Sequence, residues 1–260
     1  MSMSPLPTDG QAEQAEQAVQ ANGQPRDASY WSHSISELKV SNVPSGALNL
    51  NVDGKRVVGP LQGFGKMWQK TYRISLQGTK VDARQVIKTW KENFPRFWPA
   101  GNRFYGPLTG IAPGEVALLS IKAGGVALST GVLVLYADEE SFTLMTPQGH
   151  VFAGWITFNS YAEGDTVIVQ AQVLMRANDP IYELGLRFGG HRQEDRFWQQ
   201  TLNALATELG VVNAQVQTKV ICIDPRLQWS QAKNIWHNAA VRTTIYRVTA
   251  PVRWMRRGRG

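Results

Sequence analysis

The sequence predicts an α+β fold in which one curved antiparallel β-sheet wraps around a long C-terminal helix. Three observations predict it: a strand of period-two polarity near residue 72, a series of apolar strands with short turns over residues 115–177, and an amphipathic helix that ends near residue 209. Short turns allow hairpins but leave no room for the crossovers that parallel strands need. The apolar face of such a sheet must be covered, and the last helix can cover it.

The first element is a strand, which a capped helix follows. Tyr72, Ile74 and Leu76 alternate with polar residues, which is typical of a half-buried strand. Asp82 is then placed as an N-cap with Gln85 at the third helical position. The apolar stripe of this helix repeats at helical spacing. It consists of Ala83, Ile87, Trp90 and Phe94.

The last helix closes the domain. Glu194 and Asp195 lie in its predicted first turn, where negative charge suits the helix dipole, and Gly210 ends it. Its stripe consists of Trp198, Leu202, Leu205 and Leu209.

Composition divides the chain into four parts. Residues 1–28 are rich in Gln, Ala, Ser and Pro and are expected to be disordered. Residues 29–62 are interpreted as an arm that lies on the next part, residues 63–212, which form the folded domain. Residues 213–260 form a basic C-terminal extension. The longest apolar run is far shorter than the ~20 residues of a membrane-spanning helix, and no secretory signal is recognisable, so a cytoplasmic location is expected.

The charge is concentrated at the C-terminal end. Residues 1–218 contain 18 basic and 19 acidic residues, whereas residues 219–260 contain nine basic residues and one acidic residue. A nucleic-acid-binding domain normally carries basic residues on its own folded face, so specific nucleic-acid binding is not expected. The extension either packs on the domain, contacts an anionic membrane surface or an acidic partner, or contacts nucleic-acid phosphates without sequence specificity. The candidate contact residues are Arg253, Trp254, Arg256, Arg257 and Arg259.

One segment carries a recognisable pattern. Thr146, Gly149, His150, Gly154 and Phe158 are spaced as T-x-x-G-H-x-x-x-G-x-x-x-F. This block resembles the signature of an uncharacterised family, domain-of-unknown-function family 1990. The order of elements over residues 63–210 resembles the helix-grip fold of START-like proteins, which include birch-pollen-allergen-type proteins and polyketide cyclases. The resemblance implies a hydrophobic cavity between sheet and helix, and it implies no particular reaction.

The sequence therefore favours a protein that binds an apolar or amphipathic small molecule. Aromatic residues are numerous, and rings can line a ligand cavity as well as fill a core. The residues expected to line the cavity are Trp98, Phe104, Tyr105, Tyr136, His150, Trp155, Phe158 and Trp198.

An enzyme of the cyclase or hydrolase kind is the alternative, with His150 as its weak catalytic candidate. Its imidazole either points into the cavity mouth or fixes the Pro-Gln-Gly-His turn by pairing with the backbone, and the second interpretation is favoured. Patterns typical of zinc proteases, paired-cysteine metal sites, phosphate-binding loops and serine hydrolases do not occur. No cofactor and no metal site are therefore expected.

Overall fold

The computed structural model describes residues 27–123, 125–212, 214–250 and 254. Of residues 1–28, for which the sequence predicts disorder, residues 1–26 lie outside this part of the chain, whereas Asp27 and Ala28 belong to a short capped 3-10 turn. So do the predicted contact residues of the C-terminal tail, with the exception of Trp254, which is exposed.

Eight strands of the described chain form one antiparallel sheet in the order β2-β3-β4-β5-β6-β7-β1-β8. Neighbouring strands from β2 to β7 are consecutive in the chain, as the short turns predict. A register shift within β4 and a left-handed Gly154 in β6 accompany the bend of the sheet. The strands are β1 Met67–Leu76, β2 Arg103–Tyr105, β3 Val116–Ala123, β4 Val126–Ala137, β5 Ser141–Met145, β6 Phe152–Glu163, β7 Thr166–Ala177 and β8 Gln217–Asp224.

The helices of the described chain lie between and after the strands. As predicted, Asp82 caps the first of them by accepting a hydrogen bond from the backbone N–H of Gln85. A π-helical turn, Leu186–Gly190, joins the second to the third, and its Gly189 has a φ of 106°, a conformation that glycine adopts most readily. The α-helices are α1 Ala83–Asn93, α2 Pro180–Gly185, α3 His191–Glu208 and α4 Ala239–Val248.

The inner face of the sheet packs against α1 and α3 and forms the main core. Alternate residues of β7 point into it, including Val169, Ala171 and Val173, as the alternation of that strand predicts. From α3 the core receives Leu202 and Leu205. The long amphipathic helix therefore covers the apolar face of the sheet, as the sequence predicts.

The outer face of the sheet is covered by the arm and by the C-terminal extension. Leu38 and Val52 of the arm are buried against Leu118 and Leu133 of the sheet. The extension contributes β8, which pairs with β1, and then α4, which packs on β4. Sequence reasoning placed residues 213–260 in a separate extension, and the structure includes one part of that extension, β8, in the sheet.

Arg176 at the end of β7 fastens the extension to the body. Its side chain is buried and donates hydrogen bonds to the carbonyl oxygens of Gly65 (2.6 Å) and Arg226 (2.8 Å). It also donates to Oδ2 of Asp224, the last residue of β8, at 2.6 Å. Hydrogen bonds from Arg226 and Arg176 hold the pKa of Asp224 well below its usual range. One buried cation thus joins three segments of the chain.

We expect Arg176→Met to loosen β8. Hydrogen bonds to charged groups contribute about 1.5–3 kcal/mol each, so amide hydrogen exchange in Gln217–Asp224 should become at least ~tenfold faster. The matched control is Arg187→Met, because Arg187 is half-exposed and its ion pair among the described residues is a local one, with Glu183. Unchanged exchange in β8 of Arg176→Met would show that Arg176 does not anchor the strand.

Candidate functional site

The space between the sheet and α3 is filled by aromatic rings in mutual contact, here called the aromatic interior. The ring centre of Phe94 lies 4.9 Å from that of Phe104, 5.4 Å from Phe142 and 5.2 Å from Phe158. Most of these pairs meet edge to face, which is a favourable arrangement. The aromatic interior consists of Trp90, Phe94, Trp98, Phe104, Phe142, Phe158, Phe197 and Trp198.

Two polar atoms in this interior stand out. The indole N–H groups of Trp90 and Trp98 are buried and have no hydrogen-bond acceptor among the described residues. Buried polar atoms are nearly always paired, and an unpaired one loses the free energy of its bonds to water. The aromatic interior therefore offers two hydrogen-bond donors to an acceptor atom.

The structure divides the predicted cavity residues between the two faces of the sheet. Trp98, Phe104, Phe158 and Trp198 lie in the aromatic interior. The other aromatic residues of the set contact the arm on the outer face, and they are Tyr105, Tyr136 and Trp155.

The contacts of the two tyrosines are specific. The Tyr105 hydroxyl donates to the carbonyl oxygen of Gly46 at 3.0 Å. The ring of Tyr136 lies 4.8 Å from that of Trp31, and its hydroxyl bonds to Asp138. These rings fix the arm to the sheet and do not reach the aromatic interior.

His150 lies in the turn before β6, beneath the C-terminal extension. Its Nδ1 accepts a hydrogen bond from the backbone N–H of Phe152 at 3.1 Å, and the preceding Gly149 accepts one from the N–H of Ala239 at 2.9 Å. Burial lowers the pKa of His150 to about 4. The side chain thus bonds to the backbone of its own turn.

We expect His150→Asn to reduce the loss of stability in acid. Because the pKa of His150 is about 4 in the folded chain and about 6.5 when unfolded, its contribution is complete above pH 6.5 and is lost as the pH falls towards 4. Asn can keep the acceptor without titrating. Between pH 7.5 and pH 5 the wild type should lose about 2 kcal/mol more than the variant in urea unfolding. Parallel pH profiles would contradict this.

A second group of polar residues, here called the Lys70 cluster, lies between β1 and α3. It consists of Lys70, Tyr72, His191, Glu194 and Asp195. The Lys70 ammonium group is 2.9 Å from Oε2 of Glu194 and 2.7 Å from Oδ1 of Asp195, and it donates to the carbonyl oxygen of His191 at 3.3 Å. The Tyr72 hydroxyl donates to the same oxygen of Asp195 at 2.7 Å.

Strand and helix periodicity place the Lys70 cluster at one end of the aromatic interior. Lys70 and Tyr72 are on the inward face of β1, where Tyr72 is part of the main core. Glu194 shares a face of α3 with Trp198 and Leu202, one and two turns further on. Sequence reasoning missed this cluster, although the position of Lys70 in the alternation of Tyr72, Ile74 and Leu76 was a signal for it.

The electrostatics of the cluster keep one carboxyl group difficult to ionise. Burial raises the pKa of Glu194 to about 7, although the neighbouring Lys70 lowers it. Burial, and then the charge of Lys70, lower the pKa of His191 to about 4. Three buried atoms of the cluster have no hydrogen-bond partner in the described part of the chain: Oε1 and Oε2 of Glu194 and Nδ1 of His191. Of these, Oε2 lies 2.9 Å from the Lys70 ammonium group as an ion pair, whereas Oε1 and Nδ1 have no such neighbour.

The surface also contains two pockets. One, of about 420 Å³, is lined by charged residues of α1 such as Lys88 and Lys91. The other, of about 360 Å³, lies between the arm and the loop after β2, where Val40, Tyr105 and Leu108 line it. Among the described residues that line these two pockets, none belongs to the aromatic interior. Both belong to the surface of the domain.

The surroundings of the aromatic interior define the fold. A strand and a helix are followed by an antiparallel series of strands, and the long helix α3 then packs on the inner face of the sheet. One curved antiparallel sheet wrapped on a long helix in this order is a helix-grip arrangement. The arm and the β8–α4 extension are additions to its outer face and edge.

Solved structures with a similar fold share little sequence with this chain. A START superfamily protein from Mycobacterium smegmatis is 16% identical, with a TM-score of 0.38 over 56% of this chain and 98% of that one. The Zhui aromatase/cyclase from a Streptomyces species is 11% identical, with a TM-score of 0.40 over 55% and 94% of the two chains. The di-domain ARO/CYC StfQ of the steffimycin pathway is 12% identical, with a TM-score of 0.43 over 55% of this chain. The match spans half of StfQ.

Comparison of sequences does not assign the chain to a family. No family model matches the chain, and no curated protein matches it. The resemblance of the Thr146–Phe158 block to domain-of-unknown-function family 1990 is thus not confirmed.

Neither a cluster of metal ligands nor a membrane-spanning helix occurs in the described part of the chain. Among the described residues, His, Cys, Asp and Glu nowhere come together in threes in a way that could hold a metal ion. No helix in the described ranges is both long enough and apolar enough to cross a bilayer.

Proposed function

We propose that this helix-grip domain binds an apolar or amphipathic small molecule between the inner face of the sheet and α3. The observation that carries the proposal is the aromatic interior with the two unpaired indole N–H groups of Trp90 and Trp98. A ligand that places an oxygen atom beside an indole N–H would pair it, while its apolar body would lie against the rings.

Entry of a ligand requires the rings to separate, since they contact one another in this structure. The connection before α3 suits such a movement. It contains Gly185, Gly189 and Gly190, and its π-helical turn interrupts the regular helix at Phe188 and Gly189. Hinges are segments of this kind, in which a few residues absorb a change of backbone angles. We infer that α3 moves relative to the sheet when the ligand enters.

The contacts of His150 give the enzymatic alternative little support. Burial is the cause of its lowered pKa, and no charged side chain contributes to the shift. A general base is normally oriented by a neighbouring titratable group. We therefore propose a binding protein, with His150 fixing the turn.

The test begins with the purified full-length protein. Native mass spectrometry and analysis of an organic extract are expected to show a co-purifying apolar compound. Titration with 1-aminoanthracene, whose emission rises in apolar surroundings, is expected to saturate. No compound in the extract together with no saturable emission would overturn the proposal.

A matched pair of variants locates the site. Ala206 on α3 and Ala239 on α4 are both fully buried, but only Ala206 belongs to the core on the inner face. Ala206→Leu is expected to weaken 1-aminoanthracene binding by about tenfold, because extra methylene groups fill the space that the ligand needs. Ala239→Leu should leave the affinity unchanged. Circular dichroism checks that both variants fold, and equal affinity in both would place the site elsewhere.

A further inference from the structure

The Lys70 cluster contains a buried, unpaired hydrogen-bond acceptor on the face of α3 that also carries Trp198. Oε1 of Glu194 is buried without a hydrogen-bond partner in the described residues, and Glu194 lies one turn before Trp198 on the same face of α3. Nδ1 of His191, also unpaired there, lies 4.0 Å from Oε2 of Glu194. A buried polar atom that the fold leaves unpaired is a natural contact for a ligand.

The neighbouring cation is not free to take part. The Lys70 ammonium group has three N–H bonds, and three oxygen atoms surround it: Oε2 of Glu194, Oδ1 of Asp195 and the carbonyl oxygen of His191. The Tyr72 hydroxyl likewise donates to Asp195. A ligand that reaches the cluster therefore meets an unpaired carboxyl oxygen and not an unpaired positive charge, which favours a donor group over an anionic one.

We propose that Glu194 Oε1 accepts a hydrogen bond from a hydroxyl group of the ligand, so that the interior selects hydroxylated apolar molecules over their unhydroxylated or alkylated counterparts. This inference rests on the proposed function, because it assigns the polar end of the same ligand. The apolar body then lies towards Trp198 and Phe158, whose ring centres are 5.5 Å apart. A site that pairs with a hydroxyl group discriminates strongly against a ligand that lacks it, because its buried polar atom is then left unpaired.

The test compares 2-naphthol with 2-methoxynaphthalene, which differ in one donor hydrogen and one methyl group. Dissociation constants are measured at pH 7.5 by equilibrium dialysis with the full-length protein. The wild type is expected to bind 2-naphthol about tenfold more tightly than 2-methoxynaphthalene. Glu194→Met, which keeps the length of the side chain and removes the acceptor, is expected to bind the two compounds with similar affinity.

The matched control is Glu183→Met. Glu183 on α2 is as buried as Glu194 and also has an oxygen, Oε2, without a partner among the described residues, but it pairs with Arg187 and lies outside the aromatic interior. This variant should keep the tenfold preference for 2-naphthol. If Glu194→Met does not fold, Glu194→Gln replaces it. Its amide oxygen can still accept while its N–H₂ group competes for the same place, so the preference is expected to fall to about threefold.

Each outcome decides one question. Equal affinity of the wild type for the two compounds overturns the role of Glu194, and so does a preference that persists in Glu194→Met. With either result, the proposed binding function still holds if the titration with 1-aminoanthracene saturates and Ala206→Leu weakens the binding of that compound. Failure of all three probes to bind the wild type contradicts the proposed function itself.

Discussion

Trp90→Ala is expected to lower the free energy of unfolding by about 3–5 kcal/mol, the usual range for removing a large ring from a core. Trp90 is fully buried, and its ring centre lies 4.9 Å from that of Phe158 and 5.9 Å from that of Phe142. Its loss would leave a cavity at the centre of the aromatic interior. Urea unfolding at pH 7.5, followed by circular dichroism, measures the change.

The control for Trp90→Ala is the same substitution at Trp229. Trp229 is 72% exposed and makes one edge contact with the ring of Phe64. Its removal should change the free energy of unfolding by less than about 1 kcal/mol. Equal losses in the two variants would mean that the aromatic interior is not the main source of stability.

Residues that act locally could be predicted from the sequence. Asp82 and Gln85 lie three positions apart, and a cap needs no other information. The short turns between β3 and β7 likewise determine that neighbouring strands pair antiparallel. The alternation of β7 and the stripe of α3 then indicate which faces are buried.

The distribution of aromatic rings over the two faces depends on longer-range structure. A register shift between Val134 and Tyr136 breaks the alternation of β4, so Tyr136 meets the arm while Val134 stays in the main core. Trp155 similarly approaches Gly59 of the arm. The sequence predicts that the arm lies on the domain, but since the arm has no strong periodicity, the sequence does not show which face of the sheet it covers. The aromatic count alone therefore overstates the ring content of the interior.

The eighth strand illustrates the same limit. Gln217–Asp224 is exposed on both faces. Its sequence therefore has no need of the alternation of apolar and polar residues that identifies a half-buried strand. Its place is determined by pairing with β1 and by the bond between Arg176 and Asp224, residues 48 positions apart. Lys70 is a comparable case, because its burial requires carboxylates on a helix more than 120 residues away.

Lys70→Met is expected to be the most destabilising change in the Lys70 cluster. Removing one partner of a buried ion pair typically lowers stability by about 3–5 kcal/mol, because the remaining charge is left buried and unpaired. Here the Glu194 and Asp195 carboxylates would face each other without the ammonium group that lies within 3 Å of both. Urea unfolding of the wild type and the variant at pH 8 measures the loss.

The pH dependence of this loss identifies its cause. Burial raises the pKa of Glu194 to about 7 in the folded chain, above its ordinary value of 4.5. The folded state therefore binds this proton more tightly than the unfolded state, and the associated stability is present at low pH and lost as the pH rises through 7. Lys70 opposes this rise in the pKa of Glu194, so removing Lys70 makes the ionised carboxylate still less stable in the folded chain. Lys70→Met should therefore lose more stability at pH 8, where Glu194 is ionised, than at pH 5.5.

Adding Glu194→Gln to Lys70→Met removes the titrating carboxyl group. The double variant should recover about 2 kcal/mol at pH 8 and show a smaller difference between pH 5.5 and pH 8 than Lys70→Met alone. If the single variant loses the same stability at both pH values, its effect arises from lost packing of the lysine side chain. Recovery in the double variant would instead show that the ammonium group stabilises the fold mainly by allowing a carboxylate to lie at the end of an aromatic interior.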